Sequence, residues 1–351
     1  MTRTAVVEVV LKEALEKLAS GRHLEREEAR RAALDILSGE VPESLIGGLL
    51  VALKCNGETA EEIAGFAQGM REVKVAISPR AGMLVDTCGT GGDGKGTFNI
   101  STAAGIIAAA CGVPVAKHGN RGVSSGCGSA DVFEALGVDI QMAPERVSEC
   151  IERVGMGFMF APGFHPATKR VMGARKALGV PTIFNILGPL TNPAGARAQV
   201  VGVNRRELVG LMGRVLVELG CERGFVLHGT DGMDEFTLSA RTLVCEVDSG
   251  SVSEYELAPE DLGLSRCAAS ELTGGSAGEN AAIVREVLAG RGGPRLDVCV
   301  ANAGFAVLAG GEAGSLQDGV RAARLAVETG GAARVLDRLV EFSRNGGNGV
   351  S

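Results

Sequence analysis

The run GTGGDGKGTFNIST, from Gly89 to Thr102, crowds glycines around one carboxylate and closes on Asn-Ile-Ser-Thr. Glycines let backbone N–H groups come close to an oxyanion, and hydroxyls at a helix start add donors where the dipole already favours negative charge. The chemistry is phosphate binding, and the question is which phosphate. Gly89, Gly91 and Gly94 fit G-x-G-x-x-G, but a dinucleotide site needs an acidic residue at the end of the next strand. Here that strand ends in the basic cluster Lys117-His118-Gly119-Asn120-Arg121. The pattern G-x-x-x-x-G-K-[ST] fits through Lys95 and fails at Gly96, because its hydroxyl must follow the lysine directly to reach magnesium. Neither a nicotinamide oxidoreductase nor a P-loop NTPase is supported. Taken alone, the segment is also open, as the lesser reading, to being a ligand-free glycine-rich turn. Asp93 stands among glycines outside any helical period, and is expected to be exposed.

The second loop, KHGNRGVSSGCGSAD, has the same build. It runs from Lys117 through Arg121, Gly122, Val123, Ser124 and Ser125 to Ser129, which is placed to cap the next helix. Two such loops on neighbouring strands suit a ligand with two phosphate groups. Further on, FMFAPGFHPA ends a strand at Phe160 and opens a helix at Pro166. His165 lies at that junction and Arg175 about three turns along the helix. An arginine fork can grip a carboxylate at two points, or be an ordinary solvated charge. His165 can equally satisfy a local backbone group. Last comes HGTDGMDEF, with Asp234 and Glu235 adjacent. In a loop the two carboxylates can converge, and magnesium takes one or two such ligands and completes its shell with water and phosphate oxygens.

The elements that position these loops change texture near Ser78. Before it, apolar residues at helical spacing (Val7, Leu11, Leu15, Leu18), a stop at Gly21, Pro42 before a third helix and the capping box Thr59-x-x-Glu62 predict a small all-helical domain over residues 1–78. After it, β-like runs (Met83–Asp86, Val113–Ala116, Val138–Gln141, Gln199–Val203, Phe225–Leu227) alternate with helical ones (Ser101–Cys111, Ser129–Leu136, Leu208–Leu219). That is an α/β domain over 79–351 with a central, mainly parallel sheet flanked by helices. The loops after Asp86, Ala116, Phe160 and Leu227 then gather at the carboxyl edge, where such sheets bind ligands.

Composition agrees. The core must be aliphatic, because only 3% of the residues are aromatic and there is no tryptophan. The 52 glycines follow no triplet period, which excludes collagen. A net charge of −7 argues against nucleic-acid binding, so positive potential at a phosphate site must be local. The cysteines form no C-x-x-C, which speaks against zinc and fits a reducing cytoplasm. No signal peptide or membrane-spanning run is expected.

Taken together and in order, GTGGDGKGTFNIST, KHGNR, GSAD, FAPGFHPA, IFNILGPLTNP and DGMDE resemble the anthranilate phosphoribosyltransferase family, along nearly the whole chain. The resemblance implies transfer of the 5-phosphoribosyl group of 5-phosphoribosyl 1-pyrophosphate (PRPP) to the amine of anthranilate in tryptophan biosynthesis. It assigns Gly89, Gly92, Asp93, Thr97, Asn99, Ile100, Ser101 and Thr102 to one PRPP loop, and Lys117 to Ser125 with Ser129 to the other. It assigns Gly89, Asn120, His165 and Arg175 to anthranilate, and Ser101, Asp234 and Glu235 to magnesium, two ions per monomer. Lys117, His118 and Arg175 are the candidates for a catalytic role, although a neutral aromatic amine needs positioning more than a base. The resemblance also implies a cytoplasmic homodimer joined through the helical domain, which segments from about 168–195 complete.

Two departures stand out. Gly126 replaces a lysine of the usual SSKSGSAD-like run, removing one phosphate contact, and Gly163-Phe164 replace a more polar pair before His165. The alternatives are a pyrimidine-nucleoside phosphorylase, which is similar in fold but lacks the paired acids, and a non-catalytic nucleic-acid-binding relative, which the acidic balance disfavours.

Overall fold

The computed structural model describes residues 3–122 and 126–345. Four helices open it: α1 (Arg3–Ala19), α2 (Arg26–Ser38), α3 (Glu43–Asn56) and α4 (Ala60–Glu72). The capping box forms as the spacing predicts. Glu62 N–H donates to Thr59 Oγ1 at 3.2 Å, and Thr59 N–H to Glu62 Oε2 at 2.8 Å.

The sheet follows. Its strands are β1 (Val85–Gly89), β2 (Val115–Gly119), β3 (Met156–Phe160), β4 (Ala198–Gly202), β5 (Arg223–Gly229), β6 (Thr242–Asp248) and β7 (Ser251–Leu257), in the order β3-β2-β1-β4-β5-β6-β7. The pairings from β3 across to β5 are parallel, and β6 and β7 add antiparallel at one edge. The connecting helices are α5 (Ile100–Ala110), α6 (Ser129–Leu136), α7 (Pro144–Val154), the short α8 (Ala161–Phe164), α9 (Met172–Leu178) and α10 (Leu208–Glu218). Then come α11 (Ala277–Leu288), α12 (Pro294–Ala309), α13 (Leu316–Glu328) and α14 (Gly331–Arg344).

Period-two alternation splits the strand side chains between two cores. Val85, Val115, Val200, Phe225 and Leu227 pack with α5 and α11–α14 on one face. Cys88, Val201, Val226 and Val247 pack on the other face with α10, α9 and the N-terminal helices in one continuous apolar cluster. No helix of the described residues is long and apolar enough to cross a membrane.

Two expectations change. Val138–Gln141 is a turn, not a strand: Val138 and Ile140 are buried, but the Asp139 N–H goes to Ser343 Oγ at 2.9 Å rather than to a ladder. Alternation there reports one-sided burial, not pairing. The β6–β7 hairpin was not anticipated, because its outer strand SVSEYEL is polar and largely exposed. Its two-residue turn places Ser249 and Gly250 at φ 48° and 86°, matching the twist of a tight hairpin.

Candidate functional site

The strand order reverses direction between β1 and β4, so a crevice opens at their carboxyl ends. The 89–102 loop leaves β1 there. Gly91, Gly92, Gly94 and Gly96 have φ of 67°, 78°, 67° and 64°, a backbone that other residues rarely adopt.

Asp234 and Glu235 converge on this loop from the β5–β6 connection. Asp234 Oδ2 accepts the Gly91 N–H at 3.0 Å, and Glu235 Oε1 accepts the Ser101 N–H at 3.2 Å. One carboxylate therefore holds the start of the loop and its neighbour the end. The anion at the α5 N-terminus, where the dipole favours one, is Glu235 itself. A Cβ on Gly89 would stand 2.7 Å from Asp234 Oδ2 and displace that carboxylate. Asp93 is half-buried, with Oδ1 accepting the Lys95 N–H at 3.1 Å and Oδ2 3.5 Å from Asp234 N. Burial, with Asp93 beside it, raises Asp234 to about 7. Burial and the charge of Asp234 raise Glu235 to about 8.

Alternation on β2 sends its two chemical residues to opposite faces. Lys117 is 1% exposed and its ammonium donates to Thr87 O and, at 3.4 Å, to Ser101 Oγ. It thus staples the base of the glycine-rich loop from beneath. Burial lowers its pKa against the opposing pull of Asp86, Cys88 and Glu235. His118 faces the other way, towards the segment 182–192. Its Nδ1 lies 3.2 Å from Gly188 O, which can only accept, so Nδ1 carries the hydrogen. Nε2 is left as a buried acceptor without a partner among the described residues. Burial, helped by neighbouring His165, pushes His118 down to about 3. The two rings lie 5.1 Å apart. His165 Nε2 meets Thr191 O at 2.9 Å, the local backbone partner that its position also allowed. Burial pushes it down to about 4.

Arg175 lies in α9, which follows a 3-10 run over Pro166–Val171 rather than continuing one helix. Its guanidinium carbon stands 5.5 Å from the Phe184 ring centre and Nη1 3.8 Å from Met172 Sδ. It makes no ion pair among the described residues, and burial lowers its pKa. The segment 182–192 therefore supplies the ring beneath Arg175 and the carbonyls that orient both histidines.

The second loop is held by its own residues. Asn120 Oδ1 accepts the Arg121 N–H at 2.8 Å, and Asp131 Oδ2 accepts the N–H groups of Gly122 and Gly128, each at 2.9 Å. The Arg121 guanidinium is engaged by Asp131 and Glu134, both at 2.9 Å. Ser129 is the first residue of α6 and not its cap; Gly128 takes that position. The Ser129 hydroxyl sits where a Cβ on Gly119 would be. Val123, Ser124 and Ser125 lie outside the described residues. In the first loop, Thr97 bridges to Thr273, while Ile100 and Thr102 are buried in the core.

Residues not singled out in the sequence support these. Asp86, fully buried, accepts the His118 N–H at 3.2 Å and an Asn192 Nδ2–H at 2.7 Å. Burial raises it to about 6. Its signal was a carboxylate directly after the apolar run Met83–Val85. No group of three or more His, Cys, Asp or Glu side chains positioned for a metal ion occurs among the described residues.

Residues 12–73 match the model of the glycosyl transferase family, helical bundle domain, and residues 81–333 that of the glycosyl transferase family, a/b domain. The chain is 51% identical to the anthranilate phosphoribosyltransferase of Rubrobacter xylanophilus, over 95% of this chain and 98% of that one. It superposes on the crystal structure of the Thermus thermophilus anthranilate phosphoribosyltransferase with a TM-score of 0.90 at 47% identity, covering 94% of this chain and 99% of that one. The Saccharomyces cerevisiae enzyme in complex with PRPP and Mg matches with a TM-score of 0.87 at 27% identity, covering 96% and 98%. The same yeast protein in complex with 4-fluoroanthranilate matches with a TM-score of 0.86. Matched along both of its domains and by close relatives of full length, the chain belongs to the anthranilate phosphoribosyltransferase family.

Proposed function

We propose that this chain transfers the 5-phosphoribosyl group of PRPP to the amino group of anthranilate, releasing pyrophosphate, in tryptophan biosynthesis. The observation that carries the reading is the convergence of Asp234 and Glu235 on the two ends of the glycine-rich loop. Such a loop presents N–H donors to a pyrophosphate, and the acids beside it suit the cation that accompanies one.

The donor set fits magnesium: two half-buried carboxylates and the Ser101 hydroxyl, with no third acid completing a cage among the described residues. Ser101, Asp234 and Glu235 would hold the ions, two per monomer, leaving the remaining positions to water and phosphate oxygens. Bound there, magnesium supplies positive charge to the departing pyrophosphate. The loop from Gly89 to Thr102, with Lys117 beneath it and the second loop opposite, binds and orients PRPP. Arg175 receives the carboxylate of anthranilate, with Gly89, Asn120 and His165 lining its site. The lone pair of His118 Nε2 accepts a hydrogen bond from the amine. With a pKa near 3 it orients the neutral amine, and the proton shed once the N–C bond has formed passes to the departing pyrophosphate or to water, so the reaction needs no side-chain base.

The functional units divide near residue 78, with 168–195 returning to the helical unit; the family-model boundaries and the packing of α9 in the helical cluster support this. The helical unit also exposes Val9, Val51, Met172 and Val180, consistent with a homodimer through that region. A cytoplasmic location accords with the absence of disulfides among the described residues. The test is direct: folded protein, PRPP and magnesium should abolish anthranilate fluorescence with time. No consumption at saturating substrate sinks the reading.

A further inference from the structure

The segment before α11 straps the phosphate loop from the side. Thr97 bridges to Thr273, the Phe98 N–H donates to Leu272 O at 3.2 Å, and the Gly274 N–H donates to Gly96 O at 2.9 Å. Asn280, on the first turn of α11 and 2% exposed, ties this strap together. Its Oδ1 accepts the Gly275 N–H at 2.7 Å, and its Nδ2 donates to Asn99 Oδ1 at 3.0 Å. The orientation is forced: a backbone N–H only donates, so the Asn280 oxygen must face Gly275 and its NH2 must face Asn99. Asn99 then has to turn its own oxygen inward and its NH2 outward. That NH2 lies 3.4 Å from Cys127 O, a long contact, in the gap between the first and second loops.

We propose that Asn280 is a positioning residue that locks the Asn99 amide with its NH2 directed into the gap between the two loops, where it donates to an oxygen of PRPP. The proposal rests on the functional reading above and adds to it a polarity that the loop sequence cannot set by itself. Asn99 alone can present either its oxygen or its NH2. A phosphate oxygen of the substrate gains from the donor and is repelled by the acceptor.

Asn280→Asp tests this with almost no change of size. Aspartate still accepts the Gly275 N–H, but it no longer donates to Asn99. The Asn99 NH2 turns inward to the new carboxylate and its oxygen turns out towards the phosphates. The KM for PRPP should rise about tenfold or more, with the KM for anthranilate within about twofold. In an Asn99→Ala background the same substitution should add less than about twofold, because it acts through Asn99. An unchanged KM for PRPP overturns the proposal, and so does an effect that simply adds to that of Asn99→Ala. Should Asn280→Asp not fold, Asn280→Ser is read by the same criteria. Calorimetric titration with pyrophosphate and magnesium gives the contrast without turnover. A chain inactive towards anthranilate thus sinks the functional reading alone, whereas equal pyrophosphate affinities sink this one.

Discussion

The carbonyl oxygen of Asp234 occupies the place where a Cβ on Gly202 would stand. Gly202 closes β4, next to β1 at the point where the sheet reverses order, and its own carbonyl receives the Thr90 N–H at 2.9 Å. The connection that carries the paired acids is therefore seated against bare backbone. Only glycine lets it come close enough for the Asp234 carboxylate to reach Gly91.

Gly202→Ala should push that connection away from the glycine-rich loop. Forcing a methyl against backbone costs about 1–3 kcal/mol in a packed interior. The expected result is a loss of that size in urea unfolding, together with at least a tenfold drop in kcat/KM for PRPP, since about 1.4 kcal/mol of misplacement is tenfold. Wild-type kinetics in the alanine variant would show that the acids need no such seat.

Lys117→Met should separate the staple beneath the loop from direct contact with substrate. Methionine fills the space but leaves Asp86 and Glu235 without their buried cation and releases Thr87 O and Ser101 Oγ. Leaving those acceptors without their donor costs about 1–3 kcal/mol. Urea unfolding near pH 7.5 should show that loss, with weaker PRPP binding. Lys117→Arg should not restore either property, because a planar fork cannot follow the path of a compact ammonium. Full stability in the methionine variant would argue that Lys117 serves only the ligand.

The glycine-rich loop and the acid pair that meets it were legible in the sequence because their signal is local: glycines with hydroxyls beyond them, and adjacent carboxylates in a polar turn. The parallel sheet was legible for a similar reason, as buried strands read as short apolar runs between amphipathic helices. What could not be read was anything set by a partner distant in the chain. Asp86, Asn192 and Asn280 act through hydrogen bonds to segments brought near only by the fold. His118 and Lys117 are sequence neighbours, and only the strand register tells which faces the loop and which the 182–192 segment. The polar edge strand β7 escaped because a half-solvated strand carries little apolar signal.

Arg175 offers a prediction specific to one substrate. Its guanidinium is partly desolvated over Phe184 and makes no ion pair among the described residues, a setting that favours an incoming anion. Arg175→Lys keeps the charge but loses the two-point fork, so the KM for anthranilate should rise about tenfold, and further in Arg175→Ala. The KM for PRPP should stay within about twofold in both. If steady-state kinetics show the two KM values rising together, Arg175 supports the whole crevice rather than the carboxylate.

The buried histidines give the chain a distinctive response to acid. Burial holds His165 at about 4, against an ordinary value of about 6.5 that the unfolded chain recovers. Between those values the unfolded chain binds a proton that the folded one does not, so stability rises with pH there and is lost as pH falls below about 6.5. From pH 7 to pH 5 the loss amounts to about 2 kcal/mol for this one group. His165→Gln keeps an N–H for Thr191 O but cannot titrate. Groups common to both chains, Asp86 among them, cancel in the comparison. Urea unfolding at pH 7 and pH 5 should therefore show the wild type losing about 2 kcal/mol more than the glutamine variant. Parallel losses in the two chains would mean that the folded protein admits the proton to His165, and that the ring is not held neutral by its burial.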